Sequence, residues 1–446
     1  MMFVRGIIVP LLFVSFFSFS FYFPSCFFIL PFFFLVPLFY TLSCFPKYAF
    51  LQGWVGGTLF FMIHMFGFWW VSFFYGVGFL RIIYPFILFM YCGLYTGVWF
   101  FLLCTMNIWK RWQKRIGWFI VSLGYFWIID SKIFIVFGAW EGYSLAFPLI
   151  PLVHIPYCLR TIWWVGPWVL LSIIIVFQIL LSEFLKKRDF QKVSSLIIGM
   201  SLFFFIIPEP IIKNEKNIQN IFHHIVALPL PKKDNPYEMA QEMCLSLMNA
   251  VHNNKDATIF IFPESAFPFV LSDHPYALKM WNENVLEANK ILIMGSHTKK
   301  PGKLFNSFIV VRQCRIIEYY SKKHLVPFFE HIPWFYQSIN SCSSLFLTQK
   351  ERFYSGKSDQ TPLYLDSFSF IPVICSELFF SLFTGVSSEI PLICLMNDSY
   401  FKGSGYSKIM LNSARFACFR QKKILAYIAS DAAYVITPFK TLDKFL

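Results

Sequence analysis

The stretch SFSFIPVICSELFF, residues 367–380, determines how the C-terminal half of this chain is interpreted. Its aromatic and β-branched residues predict a strand over 368–375. That strand ends on Cys375, and a carboxylate follows two residues later at Glu377. A strand end can project a side chain into a cleft while the sheet holds its backbone, which suits a nucleophile. Buried cysteines are also common in strands, so this stretch alone favours a core thiol.

Apolar stretches of the same kind recur through residues 211–446 and predict an α/β domain. About 235 residues are enough for one hydrophobic core. Because strands alternate with helices, the pattern favours layers of both, and the hairpin-like region 291–320 argues against a purely parallel sheet. The predicted strands cover 222–230, 257–263, 291–296, 307–320, 368–375, 391–397, 424–430 and 433–437, and the predicted helices cover 237–252, 275–289 and 405–421.

The first 210 residues have the composition of a membrane domain. The whole chain is 57% hydrophobic and 14% charged, with 59 Phe, whereas soluble proteins have roughly 25% charged residues. A bilayer-spanning helix needs about 20 apolar residues. Seven spans are predicted, at 6–23, 25–44, 53–78, 82–105, 116–137, 162–184 and 193–208. The first of them resembles a signal peptide, because Arg5 precedes an apolar run, but no clear cleavage site follows, so we expect that segment to be retained.

Basic residues between the spans predict the orientation of the membrane domain. With the amino terminus inside, the inner segments carry ten Lys or Arg residues and the outer loops three, as the positive-inside rule requires. Residues 211–446 then lie outside the cytoplasm, in the periplasm of a Gram-negative cell. The inner residues are Arg5, Lys47, Lys110, Arg111, Lys114, Arg115, Lys186, Lys187, Arg188 and Lys192, and the outer ones are Arg81, Lys132 and Arg160.

Several other functions are disfavoured by the composition. The net charge of +14 lies largely in short clusters between apolar segments, which argues against nucleic-acid binding. The 11 cysteines lack CxxC or Cys/His spacing, so neither a zinc site nor a disulfide framework is indicated. The histidines include no HExxH, and no glycine-rich phosphate loop is present. We expect no metal and no cofactor.

Two further strand ends carry residues that suit chemistry with a thiol. Glu264 follows the apolar stretch IFIFP, and a dehydrated carboxylate there would suit a general base; a solvated loop acid is an equal alternative. Lys322 and Lys323 follow the strand before LVPFFE, which ends at Glu330. A lysine beside a thiol can stabilise a thiolate and later an oxyanion, although adjacent lysines more often mark a solvated turn.

Taken in order, these motifs resemble the Glu–Lys–Cys triad of the nitrilase, or carbon–nitrogen hydrolase, superfamily. With the membrane half, the chain resembles the apolipoprotein N-acyltransferase family over nearly its whole length. Four motifs in the family's order make chance agreement improbable. They are Pro263-Glu264-Ser265-Ala266; Tyr320, Lys322, Leu325, Val326, Pro327, Phe328 and Glu330; Cys375 and Glu377; and Asn397, Asp398, Tyr400 and Phe401.

The resemblance implies a fold, a reaction and site residues. The fold is a membrane domain of about seven helices, residues 1–210, plus a nitrilase-like αββα sandwich, residues 211–446. The reaction moves an acyl chain from a membrane phospholipid, phosphatidylethanolamine, through a thioester on Cys375 to the amino-terminal diacylglyceryl-cysteine of an apolipoprotein. The protein would act as a monomer in the bacterial inner membrane, with its site near the outer leaflet. Glu264 is the implied base, Lys322 stabilises the oxyanion, and Glu330 and Glu377 support the site.

The chain also departs from the family's pattern. Ser376 stands where an aromatic residue is common, Phe329 where glycine is usual, and Tyr400 where tryptophan is usual. We expect these differences to affect substrate preference, so Ser376, Asn397, Tyr400 and Phe401 are substrate-binding candidates. Because the sequence stops at Leu446, before the family's closing hairpin and eighth helix, the catalytic domain is expected to be shortened. A membrane-tethered amidase and an inactive relative acting as a binder are the alternatives.

Overall fold

The computed structural model separates the chain into two compact units. Unit 1 is Met1–Pro210 together with Phe401–Phe416, and unit 2 is Ile211–Tyr400 together with Ala417–Leu446. The structure describes residues 14–15, 17–67, 80–130, 147–209, 222, 224–284, 290–326, 330–331, 353–356, 361–365, 368–380, 390–437 and 441–442.

Unit 1 is helical. Prolines begin several of its helices, where the missing N–H costs nothing because the first helical N–H groups have no partner in the helix. The described helices before residue 210 are α1 (Pro24–Phe27), α2 (Val36–Cys44), α3 (Ala49–His64), α4 (Leu80–Thr105), α5 (Arg111–Asp130), α6 (Pro156–Val165), α7 (Pro167–Lys187) and α8 (Phe190–Ile206).

Some of these helices are long and apolar enough to cross a membrane. Within the described residues, two qualify, Phe89–Ile108 and Pro167–Lys187, and a third span results if the bent pair Leu30–Cys44 and Pro46–His64 counts as one. The described part of unit 1 is therefore a helical region with two to three candidate spans. The predicted total of seven is not confirmed, and half of the predicted span 6–23 lies outside the described residues.

One predicted span has a break inside it. The prediction placed a single helix over 162–184, whereas α6 ends at Val165 and α7 begins at Pro167. Gly166 between them has a φ of 83°, which glycine adopts without steric cost, and Pro167 cannot donate to the preceding turn. The pair Gly166-Pro167 was the sequence signal for this break.

Helices α3 and α4 pack unusually closely through glycines. A Cβ on Gly93 of α4 would lie 2.2 Å from Thr58 Oγ1 and 2.7 Å from the Trp54 carbonyl oxygen. A Cβ on Gly57 of α3 would lie 2.4 Å from Thr96 Oγ1. Small residues at such positions let two helix backbones approach, which is how apolar helices associate without a hydrophobic driving force.

The described part of unit 2 contains two six-stranded sheets. Sheet 1 has the order β1-β2-β4-β5-β6, with β3 paired to β4, and sheet 2 has the order β12-β11-β10-β9-β8-β7. The neighbours β1, β2 and β4 are parallel, and so are β8, β9 and β10. The strands are β1 (Ile225–Ala227), β2 (Ile259–Ile261), β3 (Phe267–Val270), β4 (Ile291–Lys300), β5 (Lys303–Arg312), β6 (Arg315–Ser321), β7 (Leu363–Leu365), β8 (Phe368–Ile374), β9 (Leu392–Leu395), β10 (Leu425–Ile428), β11 (Ala433–Ile436) and β12 (Thr441–Leu442).

The two sheets share one core. Alternate residues of the strands face each other across it, including Ile261, Phe308, Phe370 and Leu395. On its other face, sheet 1 packs against helices α9 (Pro236–Asn253) and α10 (Pro275–Asn284). Asn235 begins α9 by accepting hydrogen bonds from the N–H groups of residues 237 and 238, the usual function of an N-cap. Burying each large apolar side chain contributes about 1.5–3 kcal/mol.

The structure corrects some of the predicted elements. The predicted strand 307–320 is two strands, β5 and β6, joined by a turn at Gln313 and Cys314, whose φ angles are 49° and 60°. Positive φ at two non-glycine residues leaves no composition signal, which is why the turn was missed. Among the described residues after Cys375, the short helix α11 (Glu377–Phe380) was not predicted, whereas α12 (Tyr406–Gln421) was predicted at 405–421. The short strands β3, β7 and β12 were not predicted.

Candidate active site

Glu264 lies in the turn that follows β2, near the end of sheet 1. Its side chain is buried, and Oε2 accepts a hydrogen bond from the backbone N–H of Asn397, 3.1 Å away. Because Asn397 follows β9, this bond joins the ends of the two sheets. Gly295 of β4 makes room for the turn, since a Cβ there would lie 2.5 Å from Glu264 Cα. One oxygen of the carboxylate is therefore held by the backbone that follows β9.

Lys322 follows β6 and is shared by two carboxylates. Its Nζ lies 3.3 Å from Glu264 Oε1 and 3.0 Å from Glu330 Oε1, and the side chain is 1% exposed. Burial would by itself lower the pKa of Lys322, but the charges of Glu264 and Glu330 outweigh it and raise that pKa well above its ordinary value. The lysine is therefore a permanent ammonium ion inside the domain.

Asn306 of β5 holds the two carboxylates together. Its Nδ2 donates to Glu264 Oε1 at 2.9 Å and to Glu330 Oε1 at 2.8 Å. The buried Oδ1 of the same amide has no hydrogen-bond partner in the part of the chain that the structure describes. No sequence motif indicates Asn306, whose side-chain amide lies between the two carboxylates.

Cys375 is the first residue after β8. Its N–H donates to the Leu395 carbonyl of β9 at 2.8 Å, so the sheet holds its backbone. Its φ is 48°, a left-handed conformation that costs energy for a residue with a Cβ. Its carbonyl accepts from Leu378 N–H at 3.2 Å, which starts the short helix α11. The residue is partly buried and packs against the inter-sheet core.

The thiol of Cys375 responds to the charges of the other two residues. Burial raises its pKa well above the ordinary value, the Glu264 carboxylate raises it further, and the Lys322 ammonium lowers it. Within the described residues, no hydrogen bond is made by Sγ. The resting group is accordingly a neutral thiol, so attack on a carbonyl requires a base to remove its proton.

Glu377 connects the strand of Cys375 to the segment that follows Lys322. Oε1 accepts from Tyr320 Oη at 2.7 Å and from Lys323 N–H at 2.7 Å. Oε2 accepts from Ile374 N–H at 3.0 Å. Burial raises the pKa of Glu377, and these donors together with Lys322 offset part of that rise. Glu377 thus accepts hydrogen bonds from backbone N–H groups around the site, whereas Glu330 contacts the Lys322 ammonium group directly.

The four substrate-binding candidates lie in different surroundings. Ser376 is buried, and its hydroxyl donates to the His324 carbonyl at 3.3 Å. Asn397 is largely buried, and its side chain accepts from Ser399 Oγ at 2.6 Å. Tyr400 is 42% exposed, and Phe401, which is assigned to unit 1, packs against Tyr406. Phe329 lies outside the described residues.

The structure thus brings Glu264 and Glu330 into contact with Lys322. The charges of all three also act on the thiol of Cys375. The structure adds the Asn306 amide, which no motif indicated, and it shows that the motif residue Asn397 contacts Glu264 through its backbone N–H. Among the described residues, no group of three His, Cys, Asp or Glu side chains is arranged to hold a metal ion. A buried carboxylate, an ammonium ion and a thiol at strand ends can perform nucleophilic acyl transfer through a covalent intermediate.

Comparison with known proteins gives this geometry a context. Apolipoprotein N-acyltransferase of Sinorhizobium fredii is 32% identical over 159 residues, which is 33% of this chain and 29% of that protein. The Agrobacterium fabrum protein of the same name is 28% identical over 172 residues, 36% of this chain and 32% of its own length. The Helicobacter pylori protein of that name is 24% identical over 204 residues, 43% and 47% of the two chains. The chain resembles the apolipoprotein N-acyltransferases.

The matched segments span less than half of the length of these relatives. No model of a known protein family matches the chain. Among solved structures, a carbon-nitrogen hydrolase from Helicobacter pylori G27 aligns at a TM-score of 0.37 and 11% identity, covering 49% of this chain and 85% of that one. Nit3 of Saccharomyces cerevisiae, a member of the nitrilase superfamily, aligns at a TM-score of 0.34 and 13% identity. The alignment covers 49% of this chain and 83% of that one.

Proposed function

We propose that this chain is an apolipoprotein N-acyltransferase. It takes an acyl chain from a membrane phospholipid, holds it as a thioester on Cys375, and transfers it to the α-amine of diacylglyceryl-cysteine in an apolipoprotein. The observation that carries the proposal is the Lys322 ammonium held between Glu264 and Glu330, with its charge acting on the thiol of Cys375. The names of the curated relatives supply the acceptor class, an apolipoprotein, and the family resemblance of the sequence motifs supplies the phospholipid donor.

In the first half-reaction, the thiol attacks the sn-1 ester of the phospholipid. Glu264 removes the thiol proton while the bond between sulfur and the ester carbon forms. The Lys322 ammonium stabilises the oxyanion of the tetrahedral intermediate, since a fixed charge in a dry site needs no reorganisation. The carbon–oxygen bond then breaks, and the leaving glycerol oxygen of the lysophospholipid takes the proton from Glu264.

In the second half-reaction, the acceptor amine attacks the thioester carbonyl. A bond between nitrogen and the acyl carbon forms, Glu264 takes a proton from the nitrogen, and Lys322 again faces the oxyanion. The carbon–sulfur bond breaks, and the sulfur recovers the proton as a thiol. Glu330 and Asn306 position Lys322 and Glu264 through the hydrogen bonds described above, and Glu377 positions the backbone around them.

The membrane topology belongs to the same proposal. Residues 1–210 form the multi-span membrane domain, with seven crossings, and residues 211–446 form the catalytic domain. The ten inner and three outer basic residues support an amino terminus inside the cell, so that the catalytic domain lies on the periplasmic side of the inner membrane. We propose phosphatidylethanolamine as the donor and a monomer as the active form.

The fate of a labelled acyl chain tests the reaction. Purified protein in phosphatidylethanolamine vesicles labelled at sn-1 is incubated with a diacylglyceryl-cysteine peptide, and the products are separated. We expect the label on the peptide amine, and none there with Cys375→Ala. Label released only as free fatty acid would contradict the proposal and favour a hydrolase. Peptide acylation that persists with Cys375→Ala would exclude Cys375 as the acyl carrier.

A further inference from the structure

His297 is a half-buried histidine placed beside the site and used by none of the steps above. It lies on β4 directly opposite Asn306 of β5. Side chains of directly paired antiparallel residues share one face of the sheet, with Cβ atoms about 5 Å apart. The imidazole is therefore next to the amide that binds both Glu264 and Glu330.

A second set of contacts places the ring near Glu330. The ring packs edge-on against Phe353, with centroids 4.8 Å apart, and the Phe353 N–H donates to the Glu330 carbonyl at 3.1 Å. Burial lowers the pKa of His297 to about 4, and the Glu330 carboxylate offsets part of that shift. The imidazole is neutral at physiological pH.

The ring nitrogens of His297 make no hydrogen bond to any residue within the described part of the chain. A neutral imidazole offers one donor and one acceptor, and the adjacent Asn306 Oδ1 is a second acceptor lacking a partner among the described residues. Leaving the buried Oδ1 without a partner is costly. Two neighbouring acceptors, one of them buried, suit a ligand that brings donors.

The local charge selects the class of ligand. Glu264 and Glu330 carry two negative charges against the one positive charge of Lys322, so the cluster attracts a cation and repels a phosphate. An ammonium group has three donors and no acceptor. A neutral imidazole can accept one of those hydrogen bonds, whereas a protonated one would repel the group.

We propose that His297 binds the amine of the acyl acceptor. The inference rests on the proposed function and adds a specificity residue to it. His297 accepts a hydrogen bond from the α-ammonium group of diacylglyceryl-cysteine and holds that nitrogen beside Glu330. The group loses one proton to solvent before it attacks as the free amine, and Glu264 takes the second proton, which passes to the sulfur. It has no part in the first half-reaction, in which no amine reacts.

Separating the two half-reactions tests this assignment. The parent protein, His297→Phe and His297→Gln are loaded with acyl chain from phosphatidylethanolamine vesicles, and the thioester on Cys375 is followed by mass spectrometry. Diacylglyceryl-cysteine peptide is then added over a range of concentrations. Thr298→Val is the matched control, because Thr298 is the next residue of β4 and its hydroxyl pairs with Ser307 Oγ at 2.7 Å, on the other face of the strand.

We expect His297→Phe to form the thioester within about threefold of the parent rate, and to lose it to the peptide at least about tenfold more slowly, as one lost hydrogen bond to a charged group implies. The peptide concentration for half-maximal rate should rise, and His297→Gln should restore part of the rate because its amide oxygen is an acceptor. Thr298→Val should behave as the parent.

Equal slowing of both half-reactions in His297→Phe would show a structural role and overturn the inference. Unchanged transfer to the peptide in that variant would also overturn it, while leaving the proposed function intact. Failure of the parent protein to form a thioester on Cys375 would remove the proposed function, and the inference with it.

Discussion

Individual residues determine the reactivity of Cys375 through charge. Burial and Glu264 both raise the pKa of the thiol, and Lys322 lowers it. Because the resting thiol is neutral, its reaction with an alkylating agent should keep increasing with pH beyond the range in which ordinary cysteines ionise. The Glu264 carboxylate both raises the pKa of the thiol and is the proposed base. Its removal should therefore make alkylation of Cys375 easier and acylation of Cys375 slower.

Glu264→Gln should therefore make Cys375 easier to alkylate and unable to acylate. Without the carboxylate, the pKa of the thiol falls, and the pH profile of iodoacetamide labelling, read at the Cys375 peptide by mass spectrometry, shifts to lower pH. Thioester formation from phospholipid should fall at least about 100-fold, which is the usual contribution of a general base. A profile shifted to higher pH, or thioester formation at the parent rate, would contradict the proposed role of Glu264.

The predictability of the site differs from residue to residue. Glu264, Lys322 and Cys375 could be found from sequence because each follows an apolar strand and matches a family motif. Asn306 and His297 could not, since their importance comes from facing each other across β4 and β5, and strand register is a property of the folded sheet. The hydrogen bond from the Asn397 backbone to Glu264 leaves no trace in side-chain identity.

At the level of helices and strands, α3 and α4 pack closely among the described helices of unit 1. Gly93→Ala should destabilise the protein, because its Cβ would lie 2.7 Å from the Trp54 carbonyl oxygen and overpacking of this kind costs about 1–3 kcal/mol. Gly199→Ala in α8 is the matched control, since nothing lies within 4 Å of its Cβ position. Alanine there should leave stability unchanged or raise it slightly.

Thermal unfolding in detergent, followed by tryptophan fluorescence, measures the difference between these variants. We expect the Tm of Gly93→Ala to be several degrees below the parent and that of Gly199→Ala to be equal or higher. Equal Tm values for the parent and Gly93→Ala would show that the two helices do not pack at this distance.

Helices and strands were predicted well where their periodic sequence pattern was long. They were predicted poorly where a local backbone conformation decided where a strand ended. Helix α9 was predicted at 237–252 and extends over Pro236–Asn253. The turn at Gln313 and Cys314 was missed because neither residue is glycine, although both have positive φ. Strand β7 has three residues, too few for an alternating pattern to be visible.

For the molecule as a whole, the distribution of basic residues predicts on which side of the membrane the proposed catalytic domain lies. Two exposed turns allow this to be tested in the complete chain. An epitope tag inserted at Gly302, in the turn between β4 and β5, should bind antibody on intact spheroplasts. A tag inserted after Arg188, between α7 and α8, should bind only after the membrane is permeabilised. The reverse pattern would contradict the proposed orientation.

Formation of a covalent acyl-enzyme is the central claim, and one measurement tests it directly. Purified protein is incubated with phosphatidylethanolamine of a single acyl composition and no acceptor, and the intact mass and the Cys375 peptide are measured. We predict the addition of one acyl group, located on Cys375, removed by hydroxylamine, and absent in Cys375→Ala and in Lys322→Ala. An unmodified Cys375 in folded protein, or an acyl group on another residue, would contradict the account.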